Sequence, residues 1–353
     1  MVVLGESSRG TNEKAMRTTR CLFLILGGQP TFAAEENSAA TSTLRAIVPD
    51  VYAETSGETE IRISQNMSND AISVTDQGAG VENSQVSITL LGNGASTRQN
   101  DGLTVVGPSD SNFQQVIQPL QVGFRIFNIS RNKAAPKNYS YELDLPADSY
   151  AEIVMGTVRI SRGDEILGSI KEPWALDADG NQVETYFSLN GQTLTQHLEP
   201  EEDAVYPLIS DPNWGYVATY KLGVSYTVAW QRLHTCFNCY FPVSGAPSKW
   251  PSYGQLLPLY VDDLDGHHNM ECVMNYATVY PTYNRWKFFA TKKHMDGLGS
   301  YIIFELRKTS TGAHQLVVDA FIVNDAWGGT MNWYVEMKAK ENWAKFAENL
   351  SNF

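Results

Sequence analysis

Short runs of alternating apolar and polar residues dominate positions 66–211. Runs of about five to nine residues, among them "VSITLLG", "VGFRIFNIS" and "VETYFSLNG", are separated by Gly, Asn, Asp and Pro. Asp179-Gly180 and Asn190-Gly191 are typical of tight hairpin turns, and no part of the region keeps a helical period. Many short strands at near-even spacing indicate a sandwich or a barrel. We predict an antiparallel β-sandwich domain over residues 66–211.

The pattern changes after residue 211 and predicts a smaller α+β domain over residues 212–353. The stretches "GSYIIFELRK" and "HQLVVDAFIVND" have a strong β pattern and are joined by "TSTGA", so we expect a hairpin. Upstream, "YVATYKLGVSYTVAW" predicts a strand, or a strand that runs into a helix. The period becomes helical over 331–350, which predicts an amphipathic helix packed on the hairpin. The residues expected to form its apolar stripe are Val335, Ala339, Trp343, Phe346 and Leu350.

Composition supports a division of the chain near residue 211. The chain has 353 residues, of which 42% are hydrophobic and 18% charged, a globular composition. The net charge is −13, but residues 212–353 hold 12 Lys and Arg against 11 Asp and Glu, so the acidity lies before them. Seven of the eight Trp also lie in this later part. The acidic balance argues against a nucleic-acid binder, which needs a basic face.

The segments that precede the predicted sandwich have only weak periodicity. Residues 35–65 are acidic and rich in Ser, Thr and Ala, which predicts an exposed linker with one strand at its end. Ahead of it, Met16 is followed by two Arg, the short apolar run Cys21–Leu26 and small residues near Ala33. That layout is typical of a secretory signal peptide, so we expect residues 1–34 to be a signal region with translation starting at Met16.

The expected signal region predicts an extracellular or cell-envelope location. Its apolar run is far too short to span a membrane, which needs about 20 apolar residues, and no later stretch approaches that length. We therefore expect no transmembrane span. No cofactor is suggested by the sequence.

The segment "HTCFNCYFPVSGAP" contains a Cys-x-x-Cys pair, Cys236 and Cys239. Loss of a signal peptide leaves three Cys, and two of them should pair in an oxidising compartment. A bond from Cys236 to Cys272 would close a loop of about 35 residues and stabilise the fold by about 3–4 kcal/mol. We favour this bond, with Cys239–Cys272 as the alternative.

Two other interpretations of these cysteines stay open. Cys236, Cys239 and Cys272 could form a zinc site with His267 or His268, although the spacing is regular at one end only. A thioredoxin-like redox pair is the third interpretation, but a βαβ context is missing.

Candidate acid–base residues are scattered through the C-terminal part. His294 and Asp296 precede a Gly-rich turn that enters a strand, and His234, Glu305 and Asp319 could join them in one constellation. The sequence has no Gly-x-Ser-x-Gly nucleophile elbow, no His-Glu-x-x-His and no phosphate-binding glycine loop. A catalytic C-terminal domain is therefore an alternative and not the first hypothesis.

Five aromatic residues are candidates for stacking on a sugar or on a hydrophobic protein partner. They are Trp214, Trp250, Tyr253, Trp286 and Trp327. The alternative is that these side chains fill the core of the second domain.

One stretch carries a family resemblance. "EPWALDADGNQVETYFSLNGQTLTQHLEP", followed by "VYPLISDPNW", resembles secreted actinobacterial proteins of uncharacterised function, in which a β-rich segment ends in a Tyr-Pro-apolar-apolar-x-Asp-Pro motif. The matching residues are Tyr206-Pro207 and Asp211-Pro212, within residues 172–214. The resemblance implies export and a Gram-positive envelope setting, and it transfers no catalytic residue.

The first hypothesis is an exported, non-enzymatic interaction protein of the cell envelope or extracellular space, with an envelope glycan or protein as its partner. A secreted enzyme or toxin with its site in the C-terminal domain is the alternative. A zinc-binding envelope protein that uses Cys236, Cys239, His268 and Cys272 is the second alternative.

Overall fold

The computed structural model describes residues 38–49, 72–75, 77–81, 84–91, 96–98, 102–120, 123–215, 217–263, 266–297, 299–322 and 330–352. The predicted signal region and most of the predicted linker lie outside these ranges. The described residues form a mainly β protein of antiparallel sheets with few helices, as predicted. Within these ranges, no helix combines the length and the apolar character that a membrane span needs.

In the described residues, the N-terminal domain comprises three sheets and one helix. In chain order its elements are α1 (Ser38–Ile47), β1 (Ile72–Val74), β2 (Gly78–Val81), β3 (Val86–Leu90), β4 (Ser96–Arg98), β5 (Thr104–Val106), β6 (Phe113–Leu120), β7 (Gly123–Ser130), β8 (Asn138–Asp144), β9 (Ser149–Val154), β10 (Thr157–Arg162), β11 (Glu165–Ile170), β12 (Trp174–Leu176), β13 (Glu184–Asn190), β14 (Thr193–Glu199), β15 (Leu208–Asp211) and β16 (Trp214–Gly215). Two six-stranded sheets have the orders β1-β2-β3-β8-β14-β13 and β12-β15-β7-β6-β5-β4. The third sheet has the order β16-β11-β10-β9.

The two six-stranded sheets face each other and form the predicted sandwich. Strands β3 and β14 alternate buried and half-buried residues, the period expected of a strand with one face on a core. The core between the sheets includes Ile88, Tyr141 and Leu194. Across it, Asn128 Nδ2 of β7 donates a hydrogen bond to Gln196 Oε1 of β14 at 2.9 Å. This bond pairs two buried polar side chains across the core.

Helix α1 covers the outer face of the sheet that contains β7. Ala40, Leu44 and Val48 are spaced one helical turn apart, and all three are buried in a cluster with Phe127. The prediction of an exposed linker is therefore wrong for residues 38–49. The apolar residues of this segment stand among Ser, Thr and Ala, so composition hid their helical spacing.

The two domains meet later in the chain than composition predicts. Strand β16 pairs with β11, with Trp214 opposite Ile170. The Trp214 ring is buried in the N-terminal core against Gly168, where any side chain would overlap it. The first strand of the C-terminal domain begins only at Val217. A boundary before residue 212 would cut the last strand from the N-terminal domain.

The C-terminal domain is one antiparallel sheet with helices on one face. In chain order its elements are β17 (Val217–Lys221), α2 (Tyr226–Thr235), α3 (Phe237–Tyr240), β18 (Leu256–Leu257), β19 (Tyr260–Asp263), β20 (Gly266–Asn269), β21 (Cys272–Val279), β22 (Tyr283–Ala290), β23 (Tyr301–Lys308), β24 (His314–Phe321) and α4 (Thr330–Asn352). The sheet order is β17-β24-β23-β22-β21-β18, and β19 and β20 form a separate two-stranded ribbon.

The predicted hairpin and terminal helix are confirmed. Strands β23 and β24 pair from Tyr301 opposite Phe321 to Lys308 opposite His314. Helix α4 packs on this hairpin, with the ring centres of Phe346 and Phe304 5.6 Å apart. The upstream stretch forms a strand that runs into a helix, β17 followed by α2.

The other face of the C-terminal sheet packs against β9–β11 of the N-terminal domain through buried charges. Arg159 Nη1 of β10 lies 2.9 Å from Glu305 Oε2 of β23. Lys171 pairs in the same way with Asp319 of β24. The central strands β22, β23 and β24 are therefore largely buried on both faces, by helices on one side and by the N-terminal domain on the other.

Candidate functional site

A cavity of about 160 Å³ lies between α4 and the helix-covered face of the C-terminal sheet. Its wall is mainly apolar and includes Phe241, Phe288, Ile302, Ala320 and Trp343. Three of these side chains come from β22, β23 and β24, because alternate positions of a strand point to the same face. The others come from the segment after α3 and from α4, so helices and sheet line the partly open space together.

His294 adds a polar group to this wall, in the turn between β22 and β23. Its Nδ1 accepts a hydrogen bond from the backbone N–H of Asp296 at 3.1 Å, so the neutral ring carries its proton on Nε2. Burial lowers the pKa of His294 to about 4. The Asp296 carboxylate lies 3.6 Å from the same Nδ1, but a neutral ring that already accepts a bond there forms no ion pair.

The turn that holds His294 is fixed by its own hydrogen bonds. The backbone N–H of Gly297 donates to the His294 carbonyl at 3.0 Å, and Ser300 Oγ donates to the Asp296 carbonyl at 2.7 Å. No hydrogen bond joins Nε2 of His294 to a described residue. The neutral imidazole of His294 therefore offers an N–H donor at the cavity wall.

Cys272 lies in the same wall as a buried free thiol. Burial raises its pKa to about 12, so it stays protonated at neutral pH. A thiol is a poor nucleophile compared with a thiolate, and Cys272 is chemically inert in this setting.

The structure brings together only part of the predicted acid–base set. His294 and Asp296 lie in the cavity wall. Glu305 and Asp319 lie on the opposite face of the sheet, in ion pairs with the N-terminal domain. His234 is exposed at the end of α2, where its Nδ1 lies 3.0 Å from the Trp230 carbonyl. The predicted constellation is not formed, because the period of two along β23 and β24 points Glu305 and Asp319 away from the cavity.

The cysteine pairing differs from the prediction. Cys236 is bonded to Cys239, with the two Cα atoms 5.3 Å apart, and Cys272 is free. The predicted Cys236–Cys272 bond and the Cys239–Cys272 alternative are therefore wrong. Cys236 lies between α2 and α3, and the short helical turn of α3 brings Cys239 back to it. The prediction favoured the bond that closes the longer loop, to Cys272, and did not foresee this helical turn.

The predicted zinc set is also not formed. Its sulfurs at Cys236 and Cys239 are joined in a disulfide, whereas zinc needs thiolates. His268 and Cys272, the other two members, lie in the cavity wall. Across the ranges that the structure describes, no three His, Cys, Asp or Glu side chains are placed to hold a metal ion.

Most of the candidate stacking residues belong to cores. Trp286 is fully buried, and Trp250 packs at 4.6 Å from the Trp230 ring centre and 4.4 Å from that of His234. The alternative that aromatic rings fill the second core is therefore correct for Trp286 and Trp250. Tyr253 is 81% exposed, and it keeps its candidacy as a contact for a partner. Trp327 lies outside the described residues.

Sequence reasoning did not find the cavity itself. Its wall joins residues far apart in the chain, and three wall positions are filled by small side chains, Ala290, Ala320 and Ala339. Alanine at positions where neighbouring residues carry rings leaves space between a helix and a sheet. Alanines on the core-facing side of predicted strands and helices could therefore have indicated the cavity from the sequence.

No protein-family model and no curated protein matches the chain. Among solved structures, it is similar to the di-domain ARO/CYC StfQ from the steffimycin biosynthetic pathway. The identity is 8%, the match covers 73% of this chain and 86% of that chain, and the TM-score is 0.29. A similarity at this level carries no argument about function.

Proposed function

We propose that this chain is an exported, non-enzymatic binding protein that holds a small, mainly apolar, neutral molecule in the cavity under α4. The observation that carries the proposal is the partly open, mainly apolar cavity of about 160 Å³ beside the second core. Ligand sites are typically concave and mainly apolar, with a few polar groups in the wall. An apolar cavity of about 150 Å³ accepts benzene, so this one has room for a group the size of a six-membered ring.

The polar groups of the wall favour a neutral ligand. His294 is uncharged at neutral pH, so it offers a hydrogen bond and no charge to neutralise an anion. Asp296 and Lys338 add opposite charges to the same wall, and the net charge of −13 of the chain repels anions. An apolar ring with one hydroxyl or carbonyl group would match the imidazole donor.

Matched small probes test this proposal. Isothermal titration should detect binding of phenol, whose hydroxyl can accept the proton of His294 Nε2. Benzoate should bind at least about tenfold more weakly, because burying its charge costs more than the 1.4 kcal/mol that tenfold represents. Absence of phenol binding would overturn the proposal, and equal binding of both probes would overturn the preference for neutral ligands.

Two alanine-to-leucine variants on α4 test whether phenol binds in the cavity or elsewhere on the surface. Ala339→Leu fills the cavity and should abolish phenol binding while the protein stays folded, because the added side chain enters open space. Ala344 lies on the exposed side of the same helix, so Ala344→Leu should leave binding unchanged. An Ala339→Leu protein that binds phenol like the wild type would rule out this cavity as the site.

The catalytic alternative has one supporting observation, the imidazole of His294 held by Asp296 in a cavity wall. General acid–base catalysis works best when the pKa lies near the operating pH. A pKa of about 4 makes His294 a weak base at neutral pH, which favours binding over catalysis.

The proposal of export rests on residues 1–34, which lie outside the described ranges. Intact mass of the protein recovered from the culture medium tests it, with cleavage near Ala33 as the expected result. Recovery of the full-length chain from the cytoplasm would contradict export and leave the cavity proposal unaffected. The exposed Tyr253 is our candidate contact for an envelope partner.

A further inference from the structure

The Cys236–Cys239 disulfide lies at the surface, in the connection between α2 and α3. Cys239 is exposed and Cys236 is half-buried, so a reagent in solution can reach the bond. Cys272, the free cysteine among the described residues, is buried and stays protonated. The two bonded sulfurs are therefore the ones that exchange chemistry can use.

Contacts other than the disulfide also hold the segment around the bond. The backbone N–H groups of Phe237 and Asn238 donate to the carbonyls of Ser248 and Pro247 at 2.8 and 3.1 Å. Phe237 is fully buried, and its ring stacks on that of Phe241 at 4.8 Å. Hydrogen bonds and buried rings thus hold both ends of the segment.

The bond also joins residues only three positions apart. A disulfide stabilises a fold mainly by closing a loop in the unfolded chain, and its contribution grows with the length of that loop. A loop this short gives the smallest contribution of this kind. The Cys236–Cys239 bond is thus accessible to solvent and contributes little to the stability of the fold.

We infer that Cys236–Cys239 is an exchangeable redox disulfide, which an external dithiol opens and the oxidised form of that dithiol closes while the protein stays folded. A thiolate of the dithiol attacks Sγ of the exposed Cys239, and Cys236 leaves as a thiolate that takes up a proton. The second thiolate of the dithiol then attacks the mixed disulfide at the dithiol's own sulfur and releases Cys239. The protein gains two electrons and two protons, and the dithiol loses the same number as it forms its own disulfide.

The reduced state has a hydrogen-bond acceptor in place. Sγ of Cys236 lies 3.3 Å from Asn238 Oδ1, so the thiol formed on reduction can donate to this oxygen without movement of the backbone. The same segment can therefore hold both redox states.

The test is alkylation of the full-length protein under native conditions. Dithiothreitol followed by iodoacetamide should label Cys236 and Cys239 and leave Cys272 unlabelled, while near-ultraviolet circular dichroism keeps its folded signal. Exchange of the reductant for oxidised glutathione before alkylation should restore the disulfide, with the glutathione disulfide taking up the two electrons. Reduction that occurs only together with loss of the folded signal would overturn the inference, and so would labelling of Cys272 in parallel with the pair.

Single variants test which sulfur receives the attack. Cys236→Ser leaves Cys239 alone, and it should form a mixed disulfide with oxidised glutathione several-fold faster than Cys239→Ser does, because Cys239 is the exposed member. Equal rates, or a faster Cys239→Ser protein, would contradict attack at Cys239. The wild-type alkylation needs no variant, so the inference stays testable if a serine variant folds poorly.

Discussion

The two faces of the C-terminal sheet are built from the same strands but hold opposite chemistry. Along β23, Phe304 and Leu306 point to the helices, whereas Ile303 and Glu305 point to the N-terminal domain. Strands buried on both faces usually contain apolar residues throughout. Here one buried face is apolar and the other is charged, so burial alone does not decide residue type in these strands.

The apolar face is held by ring packing. Trp286 stacks on Phe304 with ring centres 5.2 Å apart, and Phe346 of α4 completes the cluster. Such contacts depend on shape, and an empty space beside them forfeits the dispersion contacts of its lining. The cavity lies on this side of the sheet.

The charged face depends on specific partners. Glu305 Oε2 accepts bonds from Arg159 Nη1 at 2.9 Å and Arg285 Nε at 2.7 Å. Burial alone would raise the pKa of Glu305, but the two guanidinium groups lower it below its usual range. Arg159 Nε and Nη2 and Asp319 Oδ2 are buried without a hydrogen-bond partner among the described residues. The network is thus under-satisfied, and removal of one member should cost more than on the apolar face.

The sharpest way to break this comparison is removal of the Glu305 carboxylate. Glu305→Ala leaves Arg159 and Arg285 buried without their counter-charge, so the free energy of unfolding should fall by about 3–5 kcal/mol. Urea unfolding at neutral pH measures this change. Glu165→Ala is the matched control, because the Arg162–Glu165 pair is exposed and should contribute less than about 1 kcal/mol. Equal losses in both variants would refute a special role for burial.

Leu306 is the adjoining residue on the apolar face and gives the second prediction. Leu306→Ala should lower the free energy of unfolding by about 2–5 kcal/mol through a lost contact and a new cavity. Leu306→Met conserves volume and should cost less than about 1.5 kcal/mol. Glu305→Gln also conserves volume, but it removes the charge and should stay costly. A tolerated Glu305→Gln would erase the proposed difference between the faces.

The sequence predicts the apolar face well because its signal is periodic. The alternation of Ile302, Phe304 and Leu306, followed by the helical stripe that includes Phe346, correctly indicated a hairpin covered by a helix. Periodicity is a local property, and it can be read from one segment at a time.

The charged face and the cavity could not be read in that way. Arg159 and Glu305 are 146 positions apart, and the local sequence around either residue does not predict its partner. Glu305 was instead a catalytic candidate. A charged residue in an apolar strand is typical both of a catalytic group and of a buried ion pair. The N-terminal helix was missed for a related reason. Leu44 is buried only because the helix packs on a sheet whose strands come much later in the chain.

Acid should separate the two faces, and this is the third prediction. The pKa of His294, at the cavity, is about 4 when folded, below its ordinary value of 6.5, so the unfolded chain takes up the proton first as pH falls. The contribution of His294 to the free energy of unfolding is complete above pH 6.5 and is lost as pH falls toward 4. The contribution of Glu305 is lost only as pH falls below 4.5, the ordinary pKa of its carboxyl group.

Urea unfolding at several pH values measures this separation. From neutral pH to about 4.5, wild-type protein should lose about 2 kcal/mol that His294→Gln does not lose. Below that range, both proteins should weaken together as Glu305 becomes protonated. Identical pH dependence of the two proteins above pH 4.5 would show that His294 is not buried in its neutral form.

The smallest expected effect concerns the helices that cover the apolar face. Ser225 caps α2, and its Oγ accepts a hydrogen bond from the backbone N–H of Val228 at 3.2 Å. Ser225→Ala removes this acceptor and should lower the free energy of unfolding by about 1 kcal/mol, whereas Ser225→Asp should retain most of the stability because Asp also caps helices. The same urea experiment resolves a change of this size. A cap acts only on its own helix, so a loss as large as that of Glu305→Ala would mean that the apolar face also depends on single polar contacts, and the contrast between the faces would fail.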